Sequence, residues 1–325
     1  MRLINYLSRE SVVHGVDTDA IAALLSEPVF DTPIVIARAT PAIHGTPPEP
    51  EFEFDTDVGR PYLSDESGRV DLRELNFIQE KHKGDLLVRI QPAVEAVDGV
   101  DVHGRKIEAA KAAKGAAIKP GNNTKTSRNG ADIRALTDGN VCLQSGTVSV
   151  EPIVVVDSVD YRTGNLDYEG SIQIKRGIAD GFTVRAGGTL EVGECVGRVT
   201  LLAEQEILLK GGINGGKEGV VDAGSNIFAK YIEGARVACR GNLFVTEAIM
   251  HSSVSVHGNV GLRGKHAELI GGSALIGGNL WCKKIGSVSE TMTRVAVGVD
   301  PERLVAYAAE HAHAEKLRDH IDDLD

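Results

Sequence analysis

Between residues 158 and 298 the chain repeats itself, and that repeat limits what it can fold into more than any other feature. Aliphatic residues recur at Ile172, Leu190, Ile207, Ile227, Leu243, Val260 and Leu280, spaced 18, 17, 20, 16, 17 and 20 residues apart. Fixed-order self-similarity at roughly 20 residues marks a solenoid, in which each unit buries its apolar face only against its neighbours. A finer period lies inside it. Ile172, Ile178, Val184, Leu190, Val196, Leu202 and Leu208 fall six apart. The register breaks at Asn214 and returns as Leu243 to Ile249, Val254 to Val260 and Ile270 to Ile276. Three six-residue sides make a coil of about 18 residues. The expectation is therefore a three-sided β-helix with one inward aliphatic per side and glycines at the corners. Roughly seven coils at about 4.8 Å each give a rod about 30 Å long. Its interior holds side chains only. That agrees with 37 glycines and an aromatic content of 4%.

The remainder divides into three further regions. Residues 1–75 read as a small α+β region. Asp17 is placed to cap a short helix with Ile21, Leu24 and Leu25 on its apolar side. A strand is expected over Pro33–Ala39, followed by a loop at Pro47, Pro48 and Pro50. Residues 76–157 alternate short apolar pieces with glycine turns, as in a small β-barrel or β-clip. The pieces are GDLLVRI, DGVDVHGRKI and LTDGNVCL, with Glu108–Lys114 as a turn of helix or a loop. Residues 158–298 are the β-helix and 299–325 a C-terminal helix. Asp300 supplies the cap of that helix and Pro301 its first position. Leu304, Val305, Ala308 and Ala312 are read as covering the solenoid end. Leu317, Ile321 and Leu324 form a short seam suited to pairing with another copy.

The formal net charge of −11 argues against nucleic acid, which needs clustered lysine and arginine. The longest aliphatic runs, such as Ile153–Val156, are too short to cross a bilayer, and the start lacks a signal-peptide core. Membrane insertion is therefore not expected, and the reading is cytoplasmic. Cys142, Cys195, Cys239 and Cys282 are too scattered for a zinc or redox motif and are read as free buried thiols. No cofactor is expected.

Three long stretches carry a resemblance: VDSVDYRTGNLDYEGSIQIKRGIADGFTVRAGGTLEV (156–192), LLKGGINGGKEGVVDAGSNIFAKYIEGARVACRGNLFVTEAIMHSSV (208–254) and ELIGGSALIGGNLWCKKIGSVSETMTRVAVGVDP (268–301). Together with GDLLVRIQPAVEAVDGVDVHGRKI upstream, they resemble the flagellar assembly protein A family over about residues 15–300. The resemblance implies a mainly β protein: a three-sided β-helix, expected to be right-handed, with an N-terminal β-rich α+β module and a C-terminal helix. The β-helix also resembles the C-terminal domain of the division-site inhibitor MinC. Family members are associated with flagellar assembly and polar placement, which implies protein partners. Gly164, Gly211, Gly212, Gly215, Gly271, Gly272 and Gly286 match the family's glycine pattern and are read as structural turns.

Leu209–Gly219 is glycine-rich and contains Lys217. It lacks the Lys-Ser/Thr pair and following helix of a phosphate loop, and is read as a wide turn. His251, His257 and His266 lie in HSSVSVHGNVGLRGKH with Arg263 and Lys265. Nothing in the spacing makes the imidazoles converge on a metal. The stretch is instead a candidate partner-facing patch, since local positive charge on an acidic chain can steer an acidic partner. No nucleophile-base pair or metal-ligand motif stands out. The function expected is a non-enzymatic scaffold or adaptor. Two alternatives are a division-inhibitor-like polymer-binding β-helix and a β-helix enzyme, either an acyltransferase or a polysaccharide lyase.

Overall fold

The computed structural model describes residues 2–28, 32–58, 73–75, 77–115, 117–288, 291–304, 306, 307 and 310. The chain is mainly β and forms two compact units. One comprises residues 1–53, 84–136 and 143–149, and the other residues 54–83, 137–142 and 150–325.

In the second unit the repeat becomes a β-solenoid. Short segments with alternate apolar residues each hide one face, and stacking them hides all of these faces together. One parallel sheet has eight strands: Ile153–Val156, Ser171–Ile174, Leu190–Val192, Ile207–Leu209, Ile227–Ala229, Leu243–Val245, Val260–Leu262 and Leu280–Trp281. We call this sheet one. Sheet two has nine strands, from Leu166–Tyr168 to Thr293–Val297. A third, narrower side is carried by a column of bridges and strand ends. It runs from Val159 to Ile178 and from Val196 through Ile213, Ile232, Ile249 and Leu269 to Ile285.

The aliphatics that define the repeat form one inward column of sheet one, in coil-to-coil register from Ile172 to Leu280. The expectation of one inward residue per side needs correction. On sheets one and two each strand buries two: Leu190 and Val192 are both fully buried, as are Val184 and Ala186. A three- or four-residue strand places residues i and i+2 on the same face, so a second column follows. The six-residue register also slips earlier than expected. Leu202 and Leu208 face outward, half-buried, and Leu201 and Ile207 take the interior. Six residues separate Ile178 from Val184, but five separate Val196 from Leu201, the residue that pairs with Val184. One residue fewer at that corner turns every later side chain to the other face.

Longer coils push their extra residues out at corners. Asn214 pairs with Glu233, yet the next pair is Gly219 with Ala235, so residues 215–218 bulge away. Where a wide turn between coils was expected over Leu209–Gly219, the chain instead runs as the strand Ile213–Ala223 with this bulge inside it. Likewise seven residues separate Leu262 from Leu269, where four separate Val245 from Ile249. The surplus forms the Arg263–Ala267 corner.

The corner between sheets two and one carries an asparagine ladder. The side-chain oxygen of Asn226 accepts from the backbone N–H and the Nδ2 of Asn242, at 2.9 and 3.1 Å. Asn242 does the same for Asn259, at 2.9 and 3.0 Å, and Asn259 for Asn279, at 2.9 and 3.2 Å. At the foot, Asn226 Nδ2 donates to Glu206 at 2.8 Å. Each rung satisfies a corner amide that no strand can reach. Asn242→Ala should cost about 1–3 kcal/mol, because it leaves the Asn259 backbone and side-chain donors without their acceptor. Urea melts of the two proteins measure this directly.

Residues 73–75, 77 and 78 pack against the start of the solenoid. Leu75 is buried, and the Arg73 guanidinium donates to Gly181 O at 2.9 Å and lies 5.7 Å from the Phe182 ring centre. In the first coil Asp160 accepts from the Arg162 guanidinium and, at 2.8 Å, from the Arg162 backbone N–H. The hydrogen bond from the Arg162 side chain, followed by that from its backbone, lowers the Asp160 carboxyl from 3.8 to about 2. A carboxylate depressed in the folded state stabilises it above the unfolded value and stops doing so as pH falls through the folded value. Asp160→Asn should therefore be less stable than the parent at neutral pH, with the difference fading between about pH 4 and pH 2. Parallel acid titrations followed by circular dichroism test this.

The first unit holds an antiparallel sheet ordered Glu49–Phe52, Leu86–Gln91, Asp132–Ala135, Thr124–Thr126. Pro50 lies within its edge strand, opposite Ile90, although the prolines were expected to exclude regular structure. An edge strand tolerates the missing N–H. The Asp17 cap forms as expected: its side chain accepts from Ala20 N at 2.8 Å ahead of the helix Thr18–Ser26. Ile21 is buried there, but Leu25 is exposed. A second helix, Arg2–Arg9, was not anticipated. The expected strand at Pro33–Ala39 reduces to a single bridge, Val16 with Ala37. Ile34 and Val35 stay exposed, and among the described residues no strand pairs with this segment. Residues 108–115 form a loop.

At the far end Asp300 caps a helix starting at Pro301. Its carboxylate accepts from Glu302 N and Arg303 N at 3.1 and 3.2 Å. Leu304 is 38% exposed. The side chains of Val305 and Ala308, and Ala312 with the Leu317, Ile321 and Leu324 seam, lie outside the described residues.

Candidate functional site

Each outward column of the solenoid stacks one side chain per coil, at about 4.8 Å. On sheet one the outward column runs Val155, Gln173, Glu191, Leu208, Phe228, Phe244, Gly261, Trp281. Its later half is apolar and aromatic. The Phe228 and Phe244 rings stack with centres 5.3 Å apart and planes 21° apart. Phe228 is 38% and Trp281 53% exposed. Leu208, both phenylalanines and Gly261 line a shallow groove together with Lys210, Lys230 and Arg263. The equivalent column of sheet two is Asp167, Arg185, Leu202, Asp222, Ala238, Ser255, Leu275 and Ala296. It is shorter in side chain and more charged.

The aromatic column lies between the asparagine ladder on one side and a basic border on the other. Lys210, Lys230, Arg263 and Lys283 each follow the last inward residue of a sheet-one segment. Lys210 pairs with Glu191, and Lys230 with Glu247 at 3.6 Å. Lys283 Nζ donates to the Lys265 carbonyl oxygen at 3.2 Å. Among the described residues no carboxylate is paired with Arg263, Lys265 or Lys283.

The five residues of the sequence-derived patch fall on three different corners. His251 sits between the third side and sheet two, at a φ of 49°. His257 ends a sheet-two strand and its Nε2 lies 3.4 Å from Glu302. Arg263, Lys265 and His266 share the enlarged corner that follows sheet one. The last three are thus brought together and the other two are not. Among the described residues, no group of three His, Cys, Asp or Glu is placed to hold a metal ion. The aromatic column was missed from the sequence. Its signal was available, since each aromatic follows an inward aliphatic of the repeat directly: Ile227-Phe228, Leu243-Phe244, Leu280-Trp281.

The cysteines are unpaired, but not all are buried as expected. Cys195 is exposed. Its thiol donates to Gly211 O at 2.8 Å and accepts from the Tyr231 hydroxyl at 3.5 Å. That hydrogen bond, more than burial, pushes the Tyr231 phenol up to about 12. Cys239 lies inside the solenoid, where burial pushes its thiol up to about 12. Since the thiolate is the reactive form, iodoacetamide at neutral pH should label Cys195 first and Cys239 only after unfolding. Peptide mass mapping over time checks the order.

A parallel β-solenoid of stacked coils with a polar ladder at one corner places the chain in the class of solenoid repeat proteins. The chain belongs to the flagellar assembly protein A family: its residues 152–325 match the family's β-solenoid domain and residues 1–146 its N-terminal region. Comparison with curated proteins and with solved structures gives no match. Among the described residues, no helix is long and apolar enough to cross a membrane.

Proposed function

We propose that the chain is a non-enzymatic cytoplasmic scaffold of flagellar assembly or placement, and that it binds a protein partner on the outer face of sheet one. The aromatic column carries this reading. Stacked, half-exposed phenylalanines and a neighbouring tryptophan on a rigid sheet offer large apolar area at little entropic cost, the property of interface anchors. A face left apolar in this way on an otherwise charged surface marks an interaction site. Membership of a flagellar assembly family supplies the process.

The test replaces the native gene in a flagellated host with a Phe228→Ser, Phe244→Ser double variant. Flagellum number and position, counted by electron microscopy, should match those of a deletion strain, at unchanged protein level and melting temperature. Normal flagellation in that strain would overturn the reading.

A further inference from the structure

We propose that the sheet-one face receives an acidic segment of a partner protein, with one bulky apolar side chain seated over Gly261 and carboxylates on Arg263 and Lys283. The inference rests on the docking reading above and gives its partner a chemistry.

The first observation is the gap in the aromatic column. Phe244 and Trp281 stand two coil steps apart, roughly 10 Å, and Gly261 lies between them in register with both. A Cβ added at Gly261 would lie 3.4 Å from the Phe244 ring, an ordinary contact. Packing within the chain therefore does not demand glycine there. The missing side chain leaves a gap in the column, a slot at the floor of the groove, Gly261 itself being buried with the Phe244 ring beside it. An apolar side chain from outside would seat there between Phe244 and Trp281.

The second observation is charge. Farther down the basic border, Lys210 and Lys230 are answered by Glu191 and Glu247 on the solenoid itself. Beside the slot, Arg263, Lys265 and Lys283 have no such answer among the described residues. Glu268, on the strand that follows this corner, lies 3.9 Å from Lys284. Lys283 is bonded to the Lys265 carbonyl, so two ammonium-bearing residues are held at one corner. Like charges are gathered there although the chain as a whole carries −11. A positive corner beside an apolar slot is complementary to a segment that mixes acidic and bulky apolar residues. An acidic chain is also a weak self-partner away from such a corner, so a second copy is an outcome to be tested.

The full chain is immobilised and used to select from a phage-displayed library of random dodecapeptides. The enriched peptides are then synthesised and measured by fluorescence anisotropy. Enriched sequences should combine aspartate or glutamate with a bulky apolar residue. Their affinity should fall at least tenfold with Gly261→Leu, which fills the slot, and with Arg263→Glu, and it should weaken as salt is raised. Arg263 is exposed, and Arg263→Glu should melt with the parent. Gly261 is buried, with its outward Cβ position meeting only the Phe244 ring, so a thermal melt accompanies Gly261→Leu, and Arg263→Glu carries the test if that variant is destabilised. Neutral or basic peptides that are nevertheless lost with Phe244→Ser would overturn the acidic assignment and leave the face as a docking surface. Peptides indifferent to all three variants, or no enrichment at all, would overturn the inference whatever the flagellation phenotype shows. Self-association in sedimentation velocity that disappears with Gly261→Leu would make the occupant a second copy and likewise overturn it.

Discussion

Leu243→Asp is expected to abolish the native fold or to lower its stability by at least about 3–5 kcal/mol. Leu243 is fully buried, stacked in register between Ile227 and Val260. A carboxylate there meets only aliphatic neighbours, while the adjacent backbone groups are committed to the strands above and below. Ionised, it is an unpaired charge in a space with no room for water. Protonated, it is still an unsatisfied polar group. The cost exceeds that of Leu243→Ala, about 2–5 kcal/mol from lost burial and a cavity, because the alanine variant leaves nothing polar behind. Urea melts of the three proteins decide the matter. An aspartate variant that melts with the parent would mean that the residue faces outward and that the register assigned to the whole column is wrong.

Gly272→Val should be the next most damaging change. Gly272 has a φ of +80°, and a Cβ there would sit 2.1 Å from Ser252 O and 2.7 Å from Ser252 N. Ser252 cannot easily yield. It is buried, its hydroxyl donates to Met250 O at 2.7 Å, and it accepts from Ala235 N at 3.2 Å. The left-handed backbone alone costs a side chain roughly 1–2 kcal/mol, and the contact forces two coils apart, so we expect several kcal/mol in all. Gly286→Ala separates the two contributions. Gly286 has nearly the same φ, +81°, with nothing within 4 Å of the added Cβ, and should cost only the backbone part. Equal thermal melts for the two variants would show that the Ser252 contact is not the cause.

The solenoid was legible because an inward aliphatic recurs once per coil, every 16 to 20 residues, and Ile172 through Leu280 mark it without a gap. What misled was the arithmetic of corners. A six-residue rule carried past Val196 assigns Leu202 and Leu208 to the interior. Backbone turns set the phase at that point, and both residues face outward. The asparagine ladder escaped notice although Asn226, Asn242, Asn259 and Asn279 each stand directly before an inward aliphatic of the repeat, because isolated polar corner residues declare a role only through the coil-to-coil hydrogen bonds they make. Phe228, Phe244 and Trp281 were hidden as a column because Gly261 interrupts it and only coil-to-coil register puts them on one face. In the first unit, edge position overrode propensity. Pro50 entered a strand at the edge of its sheet, where its missing N–H is tolerated, and Ile34 and Val35 formed none, no strand among the described residues pairing with them. The charged patch was half visible. Sequence proximity gathered His251 and His257 with Arg263, but around a triangular coil six residues are enough to turn a corner.

The bulges at residues 215–218 and at the Arg263–Ala267 corner separate two quantities that are normally tied, contour length and height. In a helix or an extended strand, three added residues shift everything beyond them. Here the surplus leaves sideways and pairing resumes on the same level, as Gly219 does opposite Ala235. Landmarks on the rod therefore keep their altitude however long the loops become. Coils of 16 to 20 residues all count as one step. A lineage carrying such a frame can rewrite its corners, even with whole loops, without moving the marks on any other face. It behaves as a graduated staff whose decorations do not disturb its scale.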